Sequence, residues 1–523
     1  MNKVLMLASE NGAFKGAKVG GIADVIRDLP AALHAQQIQA DIVMPSYGFL
    51  TAQTDAELLA EFTVEFKANI EQITIYKTAN PTCPETCVYL IDHPSWHHEP
   101  GKVYTDSGDR PFADDANLFA LFSVAVAEGL HGGYLPRPDC VHIHDWHSAF
   151  FLLCSRYMSR YQALSDIDCV LTIHNLAIQG IRPLQDDESS LAAWFPKFYA
   201  ELTENALQQI RDPRYQNCIN PLRAAINLAN RIHVVSPTYA KEILQPSDTE
   251  HGYFGGEGLE RDLQRREQDT YGIINGCNYP SDLSTSVENF QQFTQLARDT
   301  LADWRDKFGE PNNQYSLTDK RLEILQTKQF TPAFLMTSVG RLTDQKVLIL
   351  RQKTDHYETV LDAVLERLHR FSSAALFIMV GSGDPKLTRL FVDITSRHDN
   401  FIFLNGYAES LPDWLYQQGD LFLMPSSFEP CGISQMLAMR EGQPCLVHGV
   451  GGLRDTVEHK QSGFVFGGSN LDEQARHLLD SLDEALATYK TDLWNDIKAC
   501  ARSRRFSWPK VAKQMQQTLY RFS

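Results

Sequence analysis

Short apolar runs rich in β-branched residues recur along this chain, separated by helix-sized segments, and that alternation constrains the fold more than any other feature. The first set is Val4–Ala8, Asp41–Met44, Val141–His144, Val170–Ile173 and Ile232–Val235. The second is Ala333–Val339, Leu376–Val380, Phe401–Leu404, Leu421–Met424 and Cys445–Val447. Runs without polar alternation suit strands buried on both faces. Their alternation with helices predicts parallel sheets, hence two doubly wound α/β lobes. The unusual residues follow the strands: Ser9-Glu10 and Lys18-Val19-Gly20-Gly21, Asp145-Trp146, His174-Asn175, Gly340-Arg341, Gly381-Ser382-Gly383-Asp384 and Ser427-Phe428-Glu429. Open α/β sheets bind ligands outside the carboxyl ends of their strands. Two lobes with loaded edges suggest one cleft site.

The division is expected near Gly276. It gives an N-terminal lobe, 1–275, a C-terminal lobe, 276–503, with an irregular polar insert at about 281–330 that is helix-like only around Phe290–Phe308, and a last amphipathic helix within 504–523. Val511, Met515 and Leu519 give that tail its helical spacing. The formal net charge of −17 argues against nucleic acid as partner. No apolar run approaches the roughly 20 residues of a membrane span, and the N-terminus lacks a signal-peptide pattern, so a cytoplasmic protein is expected. The ten cysteines are scattered, with only Cys83 and Cys87 close together, which suits reduced thiols better than a zinc site.

Ile22, Val25, Ile26, Leu29 and Leu33 share a helical face, so Gly20-Gly21 precede a helix whose first backbone N–H groups can receive a phosphate, with Lys18 adding charge. A plain glycine turn with a solvated lysine is the competing view of that pair. Arg341 and Lys346 flank a loop after a strand and suit a diphosphate, unless Arg341 merely pairs with Asp344. In His142-Ile143-His144-Asp145-Trp146-His147, strand alternation separates the histidines from Asp145, so no metal is expected; Asp145 and Trp146 suit hydrogen bonding and stacking to a sugar. His174 is another strand-end histidine. Glu429 precedes Pro430 and suits the start of a helix, whose dipole would keep it ionised beside an oxocarbenium-like centre.

Taken in order, these motifs resemble those of the bacterial glycogen synthase and plant starch synthase family. The resemblance lies in K-x-G-G-I-A-D-V from Lys18, H-x-H-D-W-H from His142, T-x-H-N-L-A-x-Q-G from Thr172, V-S-P-T-Y-A from Val235 and G-x-x-N-G from Gly272. It continues in R-L-T-x-Q-K from Arg341, S-x-F-E-P-C-G from Ser426 and G-G-L-x-D-T-V from Gly451. The resemblance covers about residues 3–520. It implies a glycosyltransferase-B fold of two Rossmann-like lobes whose last helix crosses back to the first lobe. It further implies retaining transfer of glucose from ADP-glucose to an α-1,4-glucan, with no cofactor or metal. By the same resemblance Glu429, His174 and Asp145 are catalytic candidates. Lys18, Gly20, Gly21, Asp24, Asn275, Arg341, Lys346, Gly383, Gly451 and Gly452 are assigned to the donor, and Trp146 and Tyr104 to the acceptor or sugar.

The chain departs from the family pattern at Leu118, where an arginine is expected, at Cys277-Asn278 after N-G, at Val347 after Q-K, and at Val450 before G-G-L. Val347 and Val450 fall near the expected nucleotide. They leave two alternatives open: another nucleotide sugar or acceptor on the same fold, or a non-catalytic binding paralogue.

Overall fold

The computed structural model describes all residues except 105–110, 280–286, 309–312, 407, 409 and 523. The chain forms two compact units. One comprises Met1–Ser247, Gly255–Asn278 and Ser507–Ser523; the other comprises Asp248–Phe254 and Tyr279–Phe506. The division therefore falls after Asn278 rather than at Gly276. Residues 504–506 belong to the second unit, and the short segment Asp248–Phe254 joins it too. Its Gly252 packs against Leu471 and Phe254 against Phe428, with ring centres 5.6 Å apart.

The first unit is built on strands β1 (Asn2–Leu7), β2 (Ile38–Pro45), β3 (Glu57–Phe66), β4 (Asn69–Asn80), β5 (Cys83–Asp92), β6 (Cys140–His144) and β7 (Asp168–Ile173). A small antiparallel pair, β8 (Arg182–Pro183) and β9 (Cys218–Ile219), stands apart, and β10 (Arg231–Val234) and β11 (Thr270–Gly272) complete the main sheet. Its order is β11-β10-β7-β6-β1-β2-β5-β4-β3. From β11 to β5 every pairing is parallel, and β4 and β3 extend the sheet as an antiparallel hairpin. Strand order reverses between β1 and β6, which pair from Val4↔Cys140 to Leu7↔Ile143. The carboxyl ends flanking that switch point lead into Ser9-Glu10 and Asp145.

The second sheet holds β12 (Phe334–Val339), β13 (Ala375–Val380), β14 (Phe401–Leu404), β15 (Leu421–Met424), β16 (Cys445–His448) and β17 (Gly463–Phe466). All neighbours are parallel, in the order β14-β13-β12-β15-β16-β17. This is the order of a dinucleotide-binding Rossmann sheet, with its switch point between β12 and β15. The loops that leave these two strands carry Arg341 and Glu429.

The insert has the helix expected at Phe290–Phe308 and, where an irregular chain was expected, a second helix, Asn313–Thr327, with 280–286 and 309–312 outside the described residues. Its Gln, Asn and Thr content hides an apolar stripe of Phe290, Phe293, Ala297, Leu301 and Trp304, which packs on Leu376, Ile378 and Val380 of β13. The tail forms a helix, Trp508–Thr518, in the first unit, where Val511, Met515 and Leu519 are buried. It lies against the helix Gly21–His34, and Gln516 donates to the Gln36 carbonyl at 3.2 Å. Among the described residues no helix is long and apolar enough to cross a membrane.

Candidate active site

In the first unit the glycine loop is held from inside the fold. The helix Gly21–His34 begins as its apolar face requires, with Ile22, Val25, Ile26, Leu29 and Leu33 buried and Gly20 at the N-cap. The backbone N–H groups of Val19 and Gly20, however, donate to Glu10 Oε2 at 2.7 and 2.5 Å. The phosphate role expected of Gly20 is thus corrected: its N–H is already satisfied by a carboxylate. Gly21 is exposed, and nothing lies within 4 Å of where its side chain would be. Lys18 Nζ donates to Asp24 Oδ1 at 2.7 Å while 44% of its side chain stays exposed, and Arg27 adds a second cation to Asp24 at 3.0 Å.

At the end of β6, Asp145 adopts φ 53° and ψ −164°, a combination costly for any residue but glycine. Its carboxylate accepts the backbone N–H of His174 at 2.7 Å and of Asn175 at 3.4 Å. Burial pushes Asp145 up to about 7, against the lowering effect of those two N–H groups, and the nearby Glu10 charge adds to the rise. Asp145 therefore braces the His174 loop. Trp146 is 3% exposed, set edge-on to Phe119 at 5.4 Å and against His147 at 4.4 Å. The ring also covers Gly180, where any side chain would collide with it. The expected sugar-stacking role of Trp146 is corrected accordingly, since it has no free face. Tyr104 stacks on His147 with ring centres 5.1 Å apart, and its hydroxyl bonds Glu10 and Ser9 at 2.7 and 2.8 Å.

Behind His174 lies a buried histidine network that the motifs alone do not reveal. His233 Nε2 faces the Ile273 carbonyl at 3.0 Å and must donate to it. Its Nδ1 then accepts the Thr172 hydroxyl proton at 3.0 Å, Thr172 accepts from His142 Nε2 at 2.6 Å, and His142 Nδ1 accepts from the Tyr520 hydroxyl at 2.7 Å. The direction of this chain requires neutral imidazoles. Burial supplies them by holding His142 well below its usual range and His233 down to about 4. His144 Nδ1 and His174 Nε2 share a bond of 2.9 Å, and burial, with repulsion from His233 and His147, lowers His174 to about 3. Asn275 is 5% exposed; its N–H reaches the Val235 carbonyl at 3.3 Å and its buried side-chain oxygen has no hydrogen-bond partner among the described residues.

In the second unit, Arg341 leaves β12 exposed, and its side chain makes no hydrogen bond or ion pair among the described residues. Asp344, the partner weighed for it, pairs instead with Arg351 at 3.2 Å. Lys346 forms an ion pair with Glu429 Oε2, which also accepts from Ser426 Oγ at 3.0 Å. Glu429 does not open a helix as expected. After Pro430 the chain turns through Gly432 at φ 77°, and the next helix is Ser434–Arg440. Its 6%-exposed carboxylate is thus held by Lys346 and Ser426, not by a helix dipole. His448 Nδ1 meets the Ser426 carbonyl at 3.0 Å and braces the same loop; burial lowers it to about 4.

The donor-side glycines are close-approach positions. Gly451, at φ 42°, lies so near Glu429 that a side chain would meet its carbonyl at 2.1 Å; Gly452 is equally close to the Cys431 carbonyl and Gly383 comes within 2.2 Å of that of Leu342. Gly452 N–H also donates to the Glu429 carbonyl at 3.1 Å. The departures have definite places. Val347 is 2% exposed and packed in the core with Leu342, Ile349 and Leu350, so its side chain points away from the loop surface where it was expected to intrude. Val450 is partly buried at the N-cap of the helix Gly451–Thr456. Leu118 is 6% exposed within the helix Pro111–His131, and Cys277 is buried with its backbone bridged to Ser507.

Glu10, Ser426, His448, Thr172 and His233 are the positioning groups that the sequence reasoning left without roles. Glu10 alone carried a signal, as an acidic residue directly after the first buried strand.

Two doubly wound α/β units, each with charged and glycine-rich loops at its switch point, define a glycosyltransferase of the two-lobed B type. A family profile described as "Starch synthase catalytic domain" matches residues 3–265, and one described as "Glycosyl transferases group 1" matches 345–484. Glycogen synthase of Photobacterium profundum is 32% identical, covering 98% of this chain and 93% of that protein. Glycogen synthase of Aliivibrio salmonicida is 30% identical, covering 98% and 97%. Among solved structures, the catalytic domain of starch synthase IV from Arabidopsis thaliana, bound to ADP and acarbose, aligns with a TM-score of 0.73 at 25% identity, covering 99% of this chain and 98% of that one. The chain belongs to the glycogen synthase and starch synthase family of glucosyltransferases.

Proposed function

We propose that the chain transfers glucose from ADP-glucose to the non-reducing end of an α-1,4-glucan with retention of configuration. The observation that carries this reading is the second switch point. There an exposed Arg341, without an ion pair among the described residues, and a Lys346–Glu429 pair follow adjacent strands, the charge pattern needed to hold a diphosphate and face a cationic sugar centre with a carboxylate. The starch synthase IV structure, which holds ADP and acarbose, supports both ligands. Arg341 and Lys346 would take the charge of the departing diphosphate, so the proposed reaction calls on no resident metal. Lys18 would add a cation from the first unit, with His174 beside the transferred glucose. A cytoplasmic location belongs to the same proposal, supported by ten cysteines that all remain thiols.

The test is chain extension of a malto-oligosaccharide supplied with ADP-glucose or UDP-glucose, with release of the nucleotide measured in parallel. Extension with ADP-glucose alone supports the proposal. Extension with UDP-glucose alone replaces the donor, the second reading that Val450 beside Gly451 favours. Tight ADP binding with no extension makes the chain a binding protein.

A further inference from the structure

Glu10 is a charged residue at the first switch point that the proposed reaction does not use. It is 2% exposed, and among the described residues no cation pairs with it. Burying a carboxylate without a counter-ion is costly unless several donors converge on it. Three do: Val19 N–H at 2.7 Å and Gly20 N–H at 2.5 Å on Oε2, and the Tyr104 hydroxyl at 2.7 Å on Oε1. The helix Gly21–His34 has no side-chain cap, so its positive end also faces the Glu10 charge. These are the donors by which a glycine turn ahead of a helix ordinarily grips a phosphate. Here the chain has filled that anion site with its own carboxylate. Tyr104 carries the contact onward, since its hydroxyl also bonds Ser9 Oγ and its ring lies on His147.

We infer that Glu10 is a positioning residue: its carboxylate, and not a donor phosphate, holds the Val19 and Gly20 N–H groups, fixing the loop that presents Lys18 and tying it through Tyr104 to the His147 ring. The loop would then meet the donor through the Lys18 ammonium and the open surface at Gly21. The claim about the loop stands on geometry alone; its effect on turnover rests on the proposed function.

Two measurements on the full chain test the two parts separately. In the first, amide exchange by mass spectrometry follows the peptide around 15–22 in the wild type and in Glu10→Ala, with and without ADP. The wild-type peptide should be protected before ADP is added, with less than about a twofold gain afterwards, and Glu10→Ala should speed exchange about tenfold or more. Protection that arises only with ADP, or exchange unchanged in Glu10→Ala, overturns the inference. In the second, kcat and KM for ADP-glucose are compared for Glu10→Ala and Glu10→Gln. The alanine variant should raise KM about tenfold. Glutamine, whose oxygen still accepts from both N–H groups and whose amide can donate to Tyr104, should return to within about threefold of wild type. A lowered melting temperature with unchanged KM and kcat reduces Glu10 to a structural buttress and overturns the positioning role. Should the alanine variant fail to fold, wild-type exchange and the glutamine kinetics decide. A wild type that extends glucan with no donor sinks the proposed function, while the exchange result still decides the loop.

Discussion

The two units hold their candidate residues by different means. In the first, the central polar groups rest on other buried polar groups: Glu10 on backbone N–H and Tyr104, Asp145 on the His174 loop, and a run of imidazoles on Thr172 and Tyr520. In the second, an ordinary Rossmann sheet carries a few charges on close-packed glycine loops, and the exposed Arg341 side chain makes no hydrogen bond or ion pair among the described residues. Buried networks fix geometry but make it sensitive to protonation. Exposed charges on a rigid scaffold can be removed without loss of the fold. The second unit should therefore yield clean kinetic phenotypes, and the first should mix activity with stability.

Glu429→Ala is expected to show the largest effect, lowering glucan extension by about a thousandfold or more while ADP binding persists. Retained turnover in that variant would remove the second unit's claim to the chemistry. Arg341→Ala should cost about a hundredfold in kcat/KM, with no change in melting temperature because the side chain has no partner to lose; a fall in stability would break the contrast between the units.

Asp145→Gly relieves the positive-φ strain but frees the His174 loop, and should lower kcat about tenfold or more while costing little stability. Asp145→Asn, which keeps an acceptor oxygen, should stay closer to wild type and remove any activity inflection near pH 7.

Acid should separate the units by stability. His147, His174 and His233 lie at about 3 to 4 when folded, and His142 and His144 lie well below their usual range. Their unfolded forms bind protons near 6.5, so their stabilising contribution is present above that pH and is lost as pH falls toward 4. Asp145 acts oppositely: its raised value stabilises below about 4, and that contribution fades as pH rises through about 7. Five histidines outweigh one aspartate. Amide exchange in first-unit peptides should accelerate between pH 6.5 and 4 before that in second-unit peptides, where burial lowers His448 to about 4.

Val347→Gly should change least in activity. It empties a core position at the last residue of the short helix Asp344–Val347, costing about 2 to 3 kcal/mol of stability in a denaturant titration, yet donor preference should not move. A switch of donor would show that the family's glycine matters at the surface after all.

Much of this was legible in the sequence where a single physical rule governs a segment. Fully buried parallel strands read as unbroken apolar runs, and ten strands, five in each sheet, begin and end within a few residues of such runs, whereas the parallel strands β5, β11 and β17 match none of them. The hairpin β3–β4 escaped because one face is wet: Phe62, Val64 and Phe66 alternate with exposed residues, a period-two signal that a search for continuous runs passes over. In the insert the stretch Phe290–Phe308 is helix-like in sequence, whereas the helix Asn313–Thr327 escaped, its apolar positions being diluted by Gln and Thr. At the site, residue types after strand ends marked the right loops but not what those loops rest on. Tyr520 and His142 are 378 residues apart, and no local pattern joins them. Glu429 was misplaced onto a helix start because Pro430 suggested one, whereas the left-handed turn at Gly432 delays the helix to Ser434. Side-chain direction, which buries Val347, is likewise set by tertiary packing.

The return of residues 507–523 to the first unit has a bearing on how the protein is made. During translation the N-terminal sheet emerges early, yet Tyr520, which supplies the first proton of the histidine chain, and the helix that seals Gly21–His34 are synthesised only after the whole of residues 279–506. A nascent first unit must wait on the ribosome with an open flank, and the second unit has every residue it needs, from Asp248 to Phe506, before that flank can close.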